Sequence, residues 1–141
     1  MFKHNIEYVD FNGIDRKEDF YFHLSTPEVI RLEAKLGGQD IESYIRNLSE
    51  QQNLADLLDF LEEVILTSYG RKTTDGKSFI KNKELRTEFE YSQAYAELFE
   101  EMVTDTSLAA KFGEGVAESA KNRRKKNAFD PKVVSNDKDS D

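Results

Sequence analysis

NLADLLDFLEEVILTSYG, residues 53–70, is the stretch on which the fold turns. Leu54, Leu57, Leu58, Leu61, Val64, Ile65 and Tyr69 recur with the 3.6-residue period of a helix, and Asp56, Asp59, Glu62 and Glu63 lie mainly opposite. Asn53 offers a side-chain oxygen to the free N–H groups at the start, and Gly70 fits a left-handed C-terminal cap. Phe60 and Leu66 widen the apolar arc beyond one seam, which predicts a helix touched on two sides. Each large apolar side chain buried there contributes roughly 1.5–3 kcal/mol before entropy is subtracted. Leu54 to Tyr69 is the expected core.

Downstream, Arg71 to Lys81 reads as a polar loop turning at Asp75-Gly76. Two large apolar residues in it, Phe79 and Ile80, must dock either on the protein's own core or on a partner. Asn82 caps a helix over Lys83 to about Tyr91, and Ser92 either restarts the helix or lies within a continuous one. Tyr95, Leu98, Phe99, Met102 and Val103 form the next stripe. Thr104 to Ser107 then supplies caps for a last helix presenting Leu108, Ala109, Phe112 and Val116.

Upstream, Ser25-Thr26-Pro27-Glu28 starts a helix: a hydroxyl cap, a proline that needs no donor, and an acid at the positive end of the dipole. Val29, Ile30, Leu32 and Leu36 give it a short stripe before Gly37-Gly38. Asp40 caps the next helix, with Ile41, Tyr44, Ile45 and Leu48 on one face. A helix-turn-helix reading of this pair fails on charge, because Arg46 stands against Asp40, Glu42 and Glu50.

Before these, Ile6–Phe11 and Asp19–Leu24 are rich in the β-branched and aromatic residues of strands, so a hairpin spans about residues 6–24. Asn12-Gly13 is the turn signal. A tight turn pairs Val9 with Arg16. A longer loop pairs Phe11 with Phe20 and Val9 with Phe22, and collects more apolar side chains on one face. The longer loop is the preferred expectation, with the hairpin lying on the helices or pairing with another copy.

The 141 residues carry a net charge of −8, with a mean hydropathy of −0.71, ten Phe, six Tyr and no Cys. The absence of Cys excludes a disulfide framework and a thiolate metal site. Residues 121–141 hold seven Lys/Arg against four Asp/Glu, a net +3, which leaves −11 on residues 1–120. An acidic body of that kind repels a phosphate backbone. Two units are expected: a single domain over 1–120, and a disordered tail over 121–141, basic and then of mixed charge. No apolar run reaches membrane-spanning length, and the expected setting is cytoplasmic.

Catalytic chemistry is not visible. His4 and His23 lack a second metal-ligand type at helical spacing, and His23 is expected on the outer face of the hairpin. Glu62-Glu63 and Glu100-Glu101 point about 100° apart within each pair and read as solvated faces. No phosphate loop, nucleophile elbow or calcium-ligand ladder is present. The expectation is no enzyme, no cofactor, no catalytic residue and no metal.

The run Ser68-Tyr69-Gly70, Asp75-Gly76-Lys77 and Phe79-Ile80-Lys81, followed by Phe89, Ser92-x-Ala94-Tyr95 and Leu98, and then Ala110-x-Phe112-x-x-Gly115, resembles the tail assembly chaperones of long-tailed, siphovirus-type phages and prophages of Gram-positive bacteria. The likeness is strongest over residues 60–116, and the IDRKED insertion after Asn12-Gly13 departs from it. The resemblance implies a small, mainly helical protein, and with the elements read above the expected fold is mainly α: an N-terminal β-hairpin followed by a bundle of about five to six short helices. It also implies a protein that works in the host cytoplasm and is absent from the mature virion. Its expected partners are the tape measure protein, kept soluble, and the major tail (tube) protein, recruited around it.

Self-association into a homo-oligomer is a further tendency of such proteins, as is a longer product made by ribosomal frameshifting. Lys125-Lys126-Asn127 is compatible with slippery codons. Tyr69, Phe79, Tyr91, Tyr95 and Phe99 are the candidate partner-binding residues. The alternative is a small regulatory or nucleic-acid-associated module using the basic tail.

Overall fold

The computed structural model describes residues 1–120. The expected disordered tail and the Lys125–Asn127 reading lie outside the described residues. The N-terminal hairpin is longer and placed differently from expectation: β1 spans Phe2–Val9 and β2 spans Asp15–Phe22. Its register sets Phe2 opposite Phe22, His4 opposite Phe20, and Val9 opposite Asp15. The preferred pairing of Phe11 with Phe20 is therefore wrong, and the tight-turn register was one residue off.

The reason is local. The Asp10 carboxylate accepts the N–H groups of Asn12 and Ile14 and the Arg16 guanidinium, at 2.8–3.0 Å, and Gly13 takes φ 79°. These bonds close a compact turn that excludes Phe11 from the ladder. Even-numbered residues then face inward, with Ile6 buried and Phe2, His4 and Tyr8 half-buried.

Helices dominate the rest: α1 Thr26–Lys35, α2 Ile41–Glu50 and α3 Leu54–Ser68, then α4 Lys83–Glu90, α5 Gln93–Thr104 and α6 Thr106–Val116. Each begins at a side-chain cap, namely Ser25, Asp40, Asn53, Asn82, Ser92 and Asp105. At Ser25 the cap is reciprocal, because Glu28 accepts the Ser25 N–H in return. Ser92 restarts the chain as a separate helix. α3 buries Leu57, Phe60, Leu61, Val64, Ile65 and Leu66, and is packed on two sides as its wide arc predicts. Leu54 and Ile30, expected in apolar stripes, are instead 55% exposed.

The mainly α expectation holds only in part, and an all-α description is wrong. Residues 71–81 are a loop only between 73 and 78, where the expected turn at Asp75-Gly76 stands with Gly76 at φ 75°; β3 Tyr69–Lys72 and β4 Phe79–Ile80 flank it as a second hairpin. It joins the first in a four-stranded antiparallel sheet of order β1-β2-β3-β4. β2 meets β3 at Tyr21↔Gly70 and Phe22↔Tyr69, across three intervening helices. Gly70 is not a left-handed cap, since it is absent from the positive-φ glycines. It gives clearance: a Cβ there would lie 2.6 Å from the Ile80 carbonyl oxygen and 2.6 Å from the Phe79 ring.

The core lies between this sheet and the helices. Phe22, fully buried, has the rings of Phe2, Tyr69, Phe89 and Phe112 at 5.7–6.3 Å. The end of α6 and the residues after it tie back to the start of the fold. Leu24 N–H donates to the Val116 carbonyl, Ser119 donates to the Leu24 carbonyl, and the Met1 ammonium meets Glu118 at 2.9 Å.

Candidate functional site

Four of the five candidate aromatics are at least partly used by the protein itself. Tyr69, at the α3–β3 junction, is half-buried and stacks face-on with Phe89 at 4.2 Å and 11°. Phe89 meets Tyr95 edge-on at 5.6 Å, and Tyr95 leans on Phe99 at 5.8 Å. The result is a ladder, Tyr69–Phe89–Tyr95–Phe99, along the edge of the core. Its half-buried rungs keep part of each ring in water. Burial, with Glu62 and Glu90 nearby, pushes the Tyr95 hydroxyl up to about 12, so it stays neutral at any physiological pH.

Phe79 is separate from this ladder. It is half-buried in β4, over Gly70, with its ring edge-on to His23 at 5.7 Å. Docking of Phe79-Ile80 on the protein's own body is thus the outcome. Tyr91 ends α4 and is 73% exposed. Of the five, it alone is largely free for a partner.

His23 is not on an outer hairpin face. It follows β2, its N–H donates to the Ser68 carbonyl, and its own carbonyl accepts the Lys81 ammonium at 3.0 Å. Lys81 also meets Glu28 at 2.6 Å. Burial opposes ionisation of Glu28, but the bonds from Lys81 and from the Ser25 N–H still hold its carboxyl below the usual range. Beside this tie a groove of about 570 Å³ opens between α3 and α4, lined by Leu66, Tyr69, Lys83 and Arg86 among others. The charged groups facing His23 are the N-terminal ammonium, Lys81, Glu28 and Glu118. Burial first, and then the two cations, lower its pKa. Its Nδ1 is buried with no hydrogen-bond partner among the described residues.

The folded state therefore disfavours a protonated His23. An unfolded histidine takes up its proton near pH ~6.5, so the unfolded chain binds more protons below that point and stability falls as pH drops. Thermal unfolding between pH 7.5 and pH 5.5 should show this loss, and His23→Gln should flatten it. An equal slope in the variant would assign the effect elsewhere.

Sequence reasoning missed the tip of the first hairpin. Val9, Phe11 and Ile14 are 50%, 78% and 51% exposed there. The available signal was Asp10-x-Asn12-Gly13, an Asx-type turn that fixes Phe11 outside the ladder. Among the described residues, no group of three or more His, Asp and Glu is placed to hold a metal ion. No helix among them is long and apolar enough to cross a membrane. What the surface offers is contact: half-buried aromatic edges, one free tyrosine and an apolar hairpin tip on an acidic body.

A family model described as phage tail assembly chaperone matches residues 1–136. The chain belongs to that family. No curated protein and no solved structure matches it significantly. In this tail assembly chaperone, the motif residues that prompted the likeness are largely architectural. Gly70 clears β4, Ser92 caps α5, and Phe112 closes over Phe2 and Phe22 at 5.4 and 5.7 Å.

Proposed function

We propose that this tail assembly chaperone is a non-enzymatic holdase. It binds the tape measure protein of a siphovirus-type phage or prophage of a Gram-positive host, keeps it soluble in the host cytoplasm, and helps recruit tail tube subunits. Self-association and a frameshifted longer form belong to the same reading. The observation that carries it is Tyr91, 73% exposed at the α4–α5 junction where the aromatic ladder crosses between helices. An exposed tyrosine with a largely rigid ring adds contact area at low entropic cost, and an acidic surface keeps the loaded complex soluble. Tyr69, Tyr95, Phe99 and Phe79 support it from half-buried positions.

Co-expression with the tape measure protein encoded by the same phage is the test. The wild type should keep that protein in the soluble fraction and co-purify with it. Tyr91→Ser should weaken retention at least fivefold while leaving the melting temperature within about 1 °C, as expected for an exposed site. A tape measure protein equally insoluble with and without the wild-type chain would end the proposal.

A further inference from the structure

A groove runs along the outer edge of the sheet. Its first part, about 410 Å³, is lined by Asn5, Ile6 and Glu7 of β1 and by Glu97, Glu100 and Glu101 of α5, among others. Consecutive strand residues leave opposite faces, so a cleft touching all three follows the strand's edge. A second hollow, about 470 Å³, shares Glu7 and Glu97 but also takes in Tyr8, Val9 and, from β2, Asp15, Arg16 and Lys17, so it lies across the hairpin towards its tip and not along the open edge. α5 runs antiparallel beside β1, since Glu101 meets His4 at 3.0 Å while Glu97 stands with Tyr8 and Val9.

Two independent features of this groove ask for a partner. The first is backbone. β1 is terminal in the order β1-β2-β3-β4, so alternate residues of an eight-residue strand present N–H and C=O groups with no strand beyond them among the described residues. The second is charge. Glu97, Glu100 and Glu101 share one helical face, where like charges three and four residues apart repel. Glu100 and Glu101 also lie near the negative end of the α5 dipole, and no basic residue occupies its last turn.

The two cations that line the second hollow are already engaged, Lys17 with Glu7 at 3.8 Å and Arg16 with Asp10 at 2.8 Å, and no cation lines the first part, at the open edge. Neither Glu97 nor Glu100 has an ion-pair partner among the described residues. Edge strands are commonly blunted by charge, but that needs no second row of acids on a neighbouring helix. The helix bears repulsion that a bound cation would relieve.

We propose that this groove docks a lysine- and arginine-rich segment of a partner protein in extended conformation, added to the open edge of β1 as a fifth strand. Spacing selects the pattern. Glu97 and Glu101 are separated by about 6 Å of helical rise, and alternate residues of a strand by about 6.6–6.8 Å. A segment with a cation at every second position therefore meets successive acids, while its main chain pairs with β1. The proposal is independent of tape measure binding through Tyr91.

The test uses the full chain and an acetylated octapeptide of alternating lysine and valine, followed by NMR. Binding should shift amides of residues 2–9 and of α5. A peptide of the same composition with its four lysines in one block should bind at least tenfold more weakly. Glu97→Gln with Glu101→Gln should weaken the alternating peptide at least tenfold. Glu84→Gln with Glu88→Gln on α4 should not. Shifts confined to other surfaces, or equal affinity for the block peptide, would overturn the proposal. So would a chain shortened to residue 120 that binds tenfold tighter, because the basic segment 121–126 would then be the natural occupant. The shift map on the wild type stands even if the double variant folds poorly.

Discussion

Phe22→Ala is expected to lower the unfolding free energy by about 4 kcal/mol, within the range for deleting a buried phenyl ring. Phe22 is fully buried where the sheet meets the helices, with four aromatic rings within 6.3 Å. Removing it strips the contacts of each ring and leaves a cavity that strands pinned on both sides cannot collapse to fill. Folded domains are stable by only about 5–15 kcal/mol, so the loss is a large share of the whole. Urea unfolding gives the measurement, with Phe11→Ala as its counterpart. Phe11 is 78% exposed, and its deletion should stay within about 0.5 kcal/mol. The longer-loop register, with Phe11 opposite Phe20, predicts a substantial cost for both. Comparable losses would therefore disprove the observed pairing.

Gly70→Ala is expected to cost about 2–3 kcal/mol, the upper part of the range of about 1–3 kcal/mol for inserting atoms into a filled interior. Its new methyl would meet the Ile80 carbonyl oxygen at 2.6 Å, the Phe79 ring at 2.6 Å and the Lys81 Cγ at 2.8 Å. The carbonyl is backbone and cannot rotate away, so β4 must part from β3, and Phe79 must leave His23. Gly113 makes a useful contrast, because its nearest obstacle is the end of the Ile45 side chain, at 2.9 Å. The larger Gly70→Asn should be worse than Gly70→Ala. If Gly70 were a left-handed helix cap, asparagine would be the milder change. Chemical unfolding of the two variants ranks them, and reversal of the order would restore the cap reading.

Local chemistry was legible in the chain. Ser25, Asp40, Asn53, Asn82 and Ser92 each accept the backbone N–H three residues on, the bond their side chains suit. The α3 arc, with Phe60 and Leu66 widening it, announced burial on two sides for the same reason: the pattern lies within one helix. What was not legible depends on distant partners. Phe79 and Ile80 are too short a run to read as a strand until β3 is beside them, and β3 itself needs β2 from before three helices. Gly70 looked like a cap because the residue it makes room for is ten positions away. The hairpin register failed because counting apolar pairs ignored the Asp10 carboxylate, whose three bonds decide the turn.

For the candidate surface, residue type identified the aromatics but not their exposure. Tyr91 and Tyr95 are four apart, yet Ser92 breaks the helix between them, and only Tyr95 turns back to Phe89. The acids of α5 read as a solvated face because nothing in the sequence says that β1 lies alongside. The groove exists only in the fold.

The ring set around Phe22 also has a consequence in time. Phe2 and Phe22 are made early, Tyr69 and Phe89 later, and Phe112 last. At about 5–20 residues per second, the 90 positions from Phe22 to Phe112 occupy a ribosome for roughly 5–20 s. Throughout that interval the aromatic face lacks the ring that α6 lays over it. A protein whose family attends the assembly of other chains thus begins its own existence with a hydrophobic surface waiting to be closed.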